Sequence, residues 1–348
     1  MNRRVQLRAQ TGFCGREDVG IWPVAGSAFV WCHDAELLER GAVVGRAPLP
    51  DLSPGLRARL TDRRADICGL SLDRPRIMGI LNVTPDSFSD GGRIFEPQAA
   101  LDAAIAMARD ADILDIGGES TRPGALPVSL DEEINRTIPV IRAIRAAGIA
   151  TPISIDTRNA AVARAAIEAG ADMVNDVSAL RHDPQMAPLV AETGVPVCLM
   201  HAQGDPQTMQ DDPRYTDVVA EVGDMLAAQV AAAQAAGIDP ARIIVDPGIG
   251  FGKTVAHNMA LLRHLAVLHE LGLPVLLGAS RKRFIGTLTG VEQAADRVAG
   301  SVAVALHGAA QGAHLLRVHD VAETRQALTM WQALAGPGEA GQEQGKQA

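Results

Sequence analysis

Acids, amides and cations recur in this chain at the C-terminal ends of short apolar runs. In order they are Asn82, Asp115, Asp156, Asn175 with Asp176, His201, Asp246, the run Ser280-Arg281-Lys282, and Arg317 with His319. Turn or helix-cap chemistry accounts for any one Asp or Asn at such a place. It does not account for the set, because Lys282, Arg317 and His319 are poor caps. Carboxylates accept hydrogen bonds from N–H groups, whereas guanidinium and ammonium groups hold anions. Gathered at one place, these residues suit a ligand that carries both hydrogen-bond donors and negative charge.

The elements that would gather them are legible as a rhythm. Eight apolar runs, rich in β-branched residues, recur at Ile77–Val83, Ile113–Gly118, Pro152–Asp156, Met173–Val177, Val195–His201, Ile243–Pro247, Pro274–Ser280 and His314–His319. Stretches of helical period lie between them, at Pro97–Ala111, Leu130–Ala147, Arg158–Ala169, Tyr215–Ala236, Asn258–Leu271 and Val291–Gln311, and Val321–Leu334 follows the last run. Runs without alternation are what strands buried on both faces require, and helical crossovers are what parallel strands require. Eight β-then-α units predict an α/β protein of the (β/α)8 TIM-barrel class over residues 77–335. No G-x-G-x-x-G follows the first run, which speaks against a dinucleotide-binding sheet. In such a barrel the strand ends form the catalytic face, so the polar set above would share one rim.

Residues 1–76 break the rhythm and read as a small N-terminal accessory segment, with a hairpin or small sheet over Gly20–Cys32 and a basic, helix-like stretch over Asp51–Arg64. The Gly/Gln/Glu-rich residues 336–348 read as a disordered tail. The chain has 348 residues, 47% hydrophobic and 21% charged, which is ample for a large core. A net charge of −9 argues against a partner held by phosphate neutralisation, so no nucleic acid is expected. The four cysteines form no C-x-x-C pair, no run of eighteen apolar residues exists, and no signal-peptide core is legible. The expected location is the cytoplasm, with no membrane partner.

Two loops add detail. Thr84-Pro85-Asp86-Ser87-Phe88-Ser89-Asp90-Gly91-Gly92 follows the first run, and Glu119-Ser120-Thr121-Arg122-Pro123-Gly124-Ala125 follows the second. Each mixes small residues with a specific group, a mixture that a lid closing over substrate accounts for. The stretch Ile80–Gly92 resembles the first signature of the dihydropteroate synthase family, and Asp115–Ala125 resembles the second. The resemblance continues in order through Ser154-Ile155-Asp156-Thr157, Val174–Ser178, Met200-His201, Asp246–Lys253, Ser280-Arg281-Lys282 and Arg317–Asp320. It covers roughly three quarters of the chain, and residues 1–76 depart from it.

The resemblance implies condensation of 6-hydroxymethyl-7,8-dihydropterin diphosphate with 4-aminobenzoate, releasing pyrophosphate and giving 7,8-dihydropteroate by an SN1-like displacement. Asp246 would accept from the guanine-like edge of the pterin, with Asn175 beside it, Lys282 donating to the carbonyl side and Asp156 facing the opposite ring nitrogen. Arg317 and His319 would grip the diphosphate, and Asn82 would give an oxygen to Mg²⁺. Asp115 and Asp156 would stabilise a cation at the pterin methylene. Thr121, Pro123, Phe88 and Ser280 would line the aminobenzoate site, Arg122 would assist pyrophosphate or the lid, and Met200 and Phe251 complete the substrate-binding set. A homodimer through barrel helices is implied as well. Three other readings stay open on sequence: a pterin-binding methyltransferase domain, a pterin-binding protein without turnover, and a phosphosugar barrel enzyme.

Overall fold

The computed structural model describes residues 4–12, 20–83, 97–119, 128–204 and 208–336. The accessory segment is built from β1 (Arg4–Leu7), β2 (Gln10–Thr11), β3 (Trp22–Pro23), β4 (Val30–Cys32), β5 (Asp34–Glu39), β6 (Ala42–Pro48) and α1 (Pro54–Thr61). β2, β4 and β3 form one small antiparallel sheet, and β1, β5 and β6 form another. The expected small sheet over Gly20–Cys32 is present as β3 and β4, and the expected helix over Asp51–Arg64 as the shorter α1. Val5, Leu7, Val24, Val30, Cys32, Leu49 and Leu60 give this segment an apolar core of its own.

The barrel strands are β7 (Arg76–Asn82), β8 (Ile113–Gly117), β9 (Ile153–Asp156), β10 (Met173–Asp176), β11 (Val197–Met200), β12 (Ile243–Asp246), β13 (Leu276–Leu277) and β14 (Leu315–Val318). All pair in parallel in the order β12-β11-β10-β9-β8-β7-β14-β13. A Val245–Val275 bridge and a bond from Val245 N to Pro274 O at 2.9 Å join the two ends, so the sheet closes. The eight strands coincide with the eight apolar runs. Outside them pack α2 (Pro97–Met107), α3 (Leu130–Ala146), α4 (Ala160–Ala169), α5 (Met186–Thr193), α6 (Val218–Ala235), α7 (Val255–Arg263), α8 (Arg283–Thr289), α9 (Val298–Ala310) and α10 (Val321–Ala335), with a 3-10 stretch at Leu265–Leu271.

Three helical expectations need correction. Asn258–Leu271 divides into α7 and the 3-10 stretch. Val291–Gln311 is helical only over α9 (Val298–Ala310), and a separate short helix, α8, precedes it and ends at Gly290 in a left-handed conformation (φ 74°). α5 was not anticipated; its eight residues with Pro188 inside carry little helical period.

Alternation along each strand sorts its side chains. Ile77, Leu81, Leu114, Ile116, Ile153, Ile155, Val174 and Leu316 face the helices in the main core. Met78, Ile113, Met173, Cys198, Ile244, Leu276 and Leu315 fill the lower barrel, where Ile67 and Leu72 plug it from beneath. Each fully buried Ile or Leu contributes about 1.5–3 kcal/mol of transfer free energy. The residues that follow the accessory helix thus supply the barrel's floor, and Cys68 Sγ lies 3.7 Å from Asp172 O there.

Candidate active site

Two residues further along the same strands, the inward positions turn polar. Ile113 is followed by Asp115, Met173 by Asn175, Ile244 by Asp246, and Leu315 by Arg317 and then His319. Asp115, Asp156, Asn175 and Asp246 are buried, and the Arg317 side chain is 20% exposed. Arg317 crosses the barrel, donating from Nε to Asp115 Oδ2 and from an Nη to Asp156 Oδ2, each at 2.6 Å. Asn175 Nδ2 donates to the same Asp115 oxygen at 3.3 Å, so its partner is Asp115 rather than Asp246. The opposite oxygens, Asp115 Oδ1 and Asp156 Oδ1, are buried without a hydrogen-bond partner, as is Ser154 Oγ.

This arrangement holds more acceptor capacity than the protein satisfies. Burial pushes the Asp156 carboxyl up to about 7, opposed by Arg317 and reinforced by Asp115, Glu133 and Asp176. Burial pushes Asp246 up to about 6, opposed by the Gly248 amide, Lys282, Arg317 and Lys253. Burial disfavours charge on Arg317, but Asp115 and Asp156 outweigh it and hold the guanidinium protonated. Buried carboxylates with unsatisfied oxygens are costly. They become favourable once a ligand brings N–H donors to them.

The remaining expected residues ring this floor. Lys282 Nζ lies 3.9 Å from the centroid of the Phe251 ring. Ser280 Oγ accepts from His319 N at 3.2 Å and lies 3.1 Å from His319 Nδ1, so the loops after β13 and β14 are tied together. Arg281 (φ 57°) reinforces that tie: its Nε donates to Asp320 Oδ2 at 3.1 Å. Met200 ends β11 between Asn175 and Asp246 and is 4% exposed. Asn82 ends β7, its Oδ1 3.8 Å from where a Cβ on Gly117 would stand, and Asp156 borders the same spot. Phe88, Thr121, Arg122 and Pro123 lie outside the described residues, as do the first proposed lid loop, the second beyond Glu119, and residues 337–348.

Asp176 belongs elsewhere. Its Oδ1 accepts from Ser178 N at 2.7 Å and Ser178 Oγ at 2.6 Å, and its Oδ2 from Leu180 N at 2.8 Å. It staples a turn in which Ala179 and Leu180 both have positive φ. Sequence reasoning gave no role to Lys253, which is 4% exposed and donates to Gly248 O and Phe251 O at 2.9 Å each. The signal was present: a lysine among glycines behind an apolar run.

The profile of the pterin binding enzyme family matches residues 78–319, from the floor of β7 to His319. The chain is 51% identical over 271 residues to the dihydropteroate synthase of Neisseria meningitidis serogroup B, covering 76% of this chain and 94% of that one. This chain belongs to the dihydropteroate synthase family. A structure of the Xanthomonas albilineans dihydropteroate synthase with 4-aminobenzoic acid superposes at a TM-score of 0.74 and 55% identity, covering 79% of this chain and 99% of that one. The same enzyme in complex with 7,8-dihydropteroate gives a TM-score of 0.71 at 52% identity, covering 79% and 100%. The matched family span contains every inward polar residue described above, whereas β1 to β6 and α1 lie before it.

Proposed function

We propose that this chain is a transferase that condenses 6-hydroxymethyl-7,8-dihydropterin diphosphate with 4-aminobenzoate, forming 7,8-dihydropteroate and releasing pyrophosphate. The observation that carries the reading is the acceptor-rich floor, where Asp115 and Asp156 keep unpartnered oxygens beside Asp246, under the cations Arg317 and Lys282. A pterin's ring N–H and exocyclic amine are the donors such a floor lacks, and its diphosphate is the anion such cations take. The relatives named above, one with 4-aminobenzoic acid and one with 7,8-dihydropteroate, support the same substrates.

In this reading Asp246 and Asn175 hold the pterin edge, with Asp156 on the opposite nitrogen and Lys282 on the carbonyl side. Arg317 and His319 take the diphosphate and stabilise the charge that grows as it leaves; a positioned cation in a water-poor site lowers such a barrier by roughly 3–4 kcal/mol. Pyrophosphate departs first, in an SN1-like step. Asp115 and Asp156 then lie close to the positive charge at the pterin methylene. The neutral arylamine attacks without a strong base, on a surface formed by Ser280 and, outside the described residues, Phe88, Thr121 and Pro123, with Arg122 assisting departure.

Mg²⁺ fits the residues present. Among the described residues no group of three or more His, Cys, Asp or Glu could hold a metal alone. Asn82, with its amide oxygen beside Asp156 at the mouth, offers one protein ligand, and diphosphate and water would complete the shell. Bound there, the ion would neutralise diphosphate charge.

Three coarser readings accompany this one. A homodimer through barrel helices is supported by exposed Leu288 on α8 and Met330 and Leu334 on α10. A cytoplasmic location is supported by free Cys32, Cys68 and Cys198; no helix of the described residues is long and apolar enough to cross a membrane. Division into an accessory segment over 1–76 and a barrel over 77–335 is supported by their largely separate apolar cores. The function is tested by following dihydropteroate and pyrophosphate together in purified protein. Equal release of both, dependent on both substrates and abolished by EDTA, is expected; tight pterin binding without product would overturn it.

A further inference from the structure

The geometry points to Lys253 as a positioning residue for the pterin site, an ammonium around which the loop after β12 is folded so that Asp246 and Lys282 are held in place. Lys253 touches no reacting atom in this arrangement. It is buried, and its Nζ lies 2.9 Å from each of Gly248 O, Phe251 O and His201 Nδ1, with His201 O at 3.5 Å. Three ammonium hydrogens thus meet three acceptors from two loops, and no carboxylate is among these partners.

The loop's backbone is shaped for that convergence. Gly248, Gly250 and Gly252 have φ of 64°, 84° and 61°, a region that side chains rarely adopt. A Cβ on Gly248 would stand 1.8 Å from His201 O, and one on Gly252 would stand 2.7 Å from Gln203 O. The chain therefore coils tightly against the end of β11, turning the carbonyls of Gly248 and Phe251 inward to the ammonium. The groups left facing the mouth do the positioning. Gly248 N donates to Asp246 Oδ1 at 2.6 Å, and the Phe251 ring lies 3.9 Å from Lys282 Nζ. Asn258 Oδ1 accepts from Gly250 N at 2.8 Å, and Tyr215 Oη donates to Gly252 O at 2.9 Å, fixing the loop from outside.

His201 completes the core as a neutral acceptor. Burial, with Lys253 beside it, pushes its pKa down to about 3, so Nδ1 keeps a lone pair for the ammonium and the proton stays on Nε2. Burial likewise pushes Lys253 down to about 7, opposed by Asp246. Without the Lys253 side-chain nitrogen, three acceptors would face one another unpaired, and the loop would open. Gly248 would then withdraw from Asp246, and Phe251 from Lys282. Both losses fall on the pterin half of the site and spare the aminobenzoate half.

The inference rests on the pterin reading of this site, so the test reads binding and turnover separately. 6-Hydroxymethyl-7,8-dihydropterin diphosphate is titrated by calorimetry into full-length wild type and K253M, and KM and kcat are measured for both substrates. The expected result for K253M is a rise of about tenfold or more in the pterin diphosphate Kd and KM, as for loss of hydrogen bonds to a charged group. The aminobenzoate KM would stay within about twofold and kcat within about threefold. Unchanged pterin Kd in a folded K253M overturns the inference, as does an equal loss in both substrates' KM. H201F guards against a K253M that does not fold: it removes one acceptor, and a rise of about threefold in pterin Kd is expected, with no rise counting against the inference. Wild type that binds the pterin but forms no product overturns the proposed reaction while the Kd ratio still decides the role of Lys253. Wild type that binds no pterin overturns both.

Discussion

The two ends of the barrel are made from the same eight strands, yet they treat their charges in opposite ways. At the N-terminal end every described acid at a strand start is spent on the fold. Asp112 accepts from Ile77 N at 2.8 Å and pairs with Arg76 at 3.4 Å and with Arg325. Asp172 repeats the device, accepting from Ile153 N at 2.8 Å and pairing with Arg145 at 2.5 Å. Between these acids the floor is apolar, plugged by Ile67 and Leu72. At the C-terminal end Asp115 and Asp156 share one guanidinium and keep an oxygen each unpartnered. Satisfied charge builds the scaffold, and unsatisfied buried charge waits for a ligand.

The contrast can be broken by substitution at either end. Arg317→Ala should cut kcat/KM by about 10²–10³-fold, through loss of the cation that meets the leaving group; steady-state kinetics check this, and near-normal kcat/KM would remove Arg317 from its role. Ile67→Ala should instead cost about 2–5 kcal/mol of stability in denaturant unfolding, with kcat/KM at 25 °C within about twofold. Asp112→Asn weakens the pairing of Arg76 and Arg325 and should cost about 1–3 kcal/mol, again with activity retained. A floor variant that lost activity while keeping its stability would dissolve the distinction.

Acidity sharpens it with a smaller effect. Asp156 and Asp246 have folded pKa values raised to about 7 and 6, above the value of an unfolded Asp, so folding favours their protonated forms. Their destabilising contribution is fully present above pH 7 and disappears as pH falls through 7 and 6 toward 4. Between pH 8 and pH 5.5 the ligand-free protein should gain roughly 2–4 °C in Tm from these groups. The gain should be absent in the double variant Asp156→Asn/Asp246→Asn, as thermal scans across pH would show.

Much of this is legible in the sequence because strands buried on both faces leave continuous apolar runs, and the chain carries eight of them. The mouth was legible because each run ends in a residue too polar for its surroundings, such as Asp246 after Ile243-Ile244-Val245. What stayed hidden was mostly nonlocal. Arg317 reaches acids 202 and 161 positions away, a pairing that no spacing announces. The floor plug Ile67–Leu72 is too short to show a period, and its role exists only beneath a closed barrel. The β1-β5-β6 sheet was missed because its strand Ala42–Pro48 is mostly exposed and carries Gly45 and Pro48, which do not read as a strand. Asp176 shows the converse, a strand-end acid whose turn-capping position accounts for all of its hydrogen bonds among the described residues.

The most direct test is a calorimetric titration of 6-hydroxymethyl-7,8-dihydropterin diphosphate into wild type and Asp246→Asn at pH 7, where the wild-type carboxylate is mostly ionised, with Tm recorded for both. The account predicts binding that weakens about 100-fold in the variant while Tm stays level or rises, because a buried charge that folding disfavours has been removed. Binding equal to wild type, or a loss of binding that comes only with a fall in Tm, would contradict it.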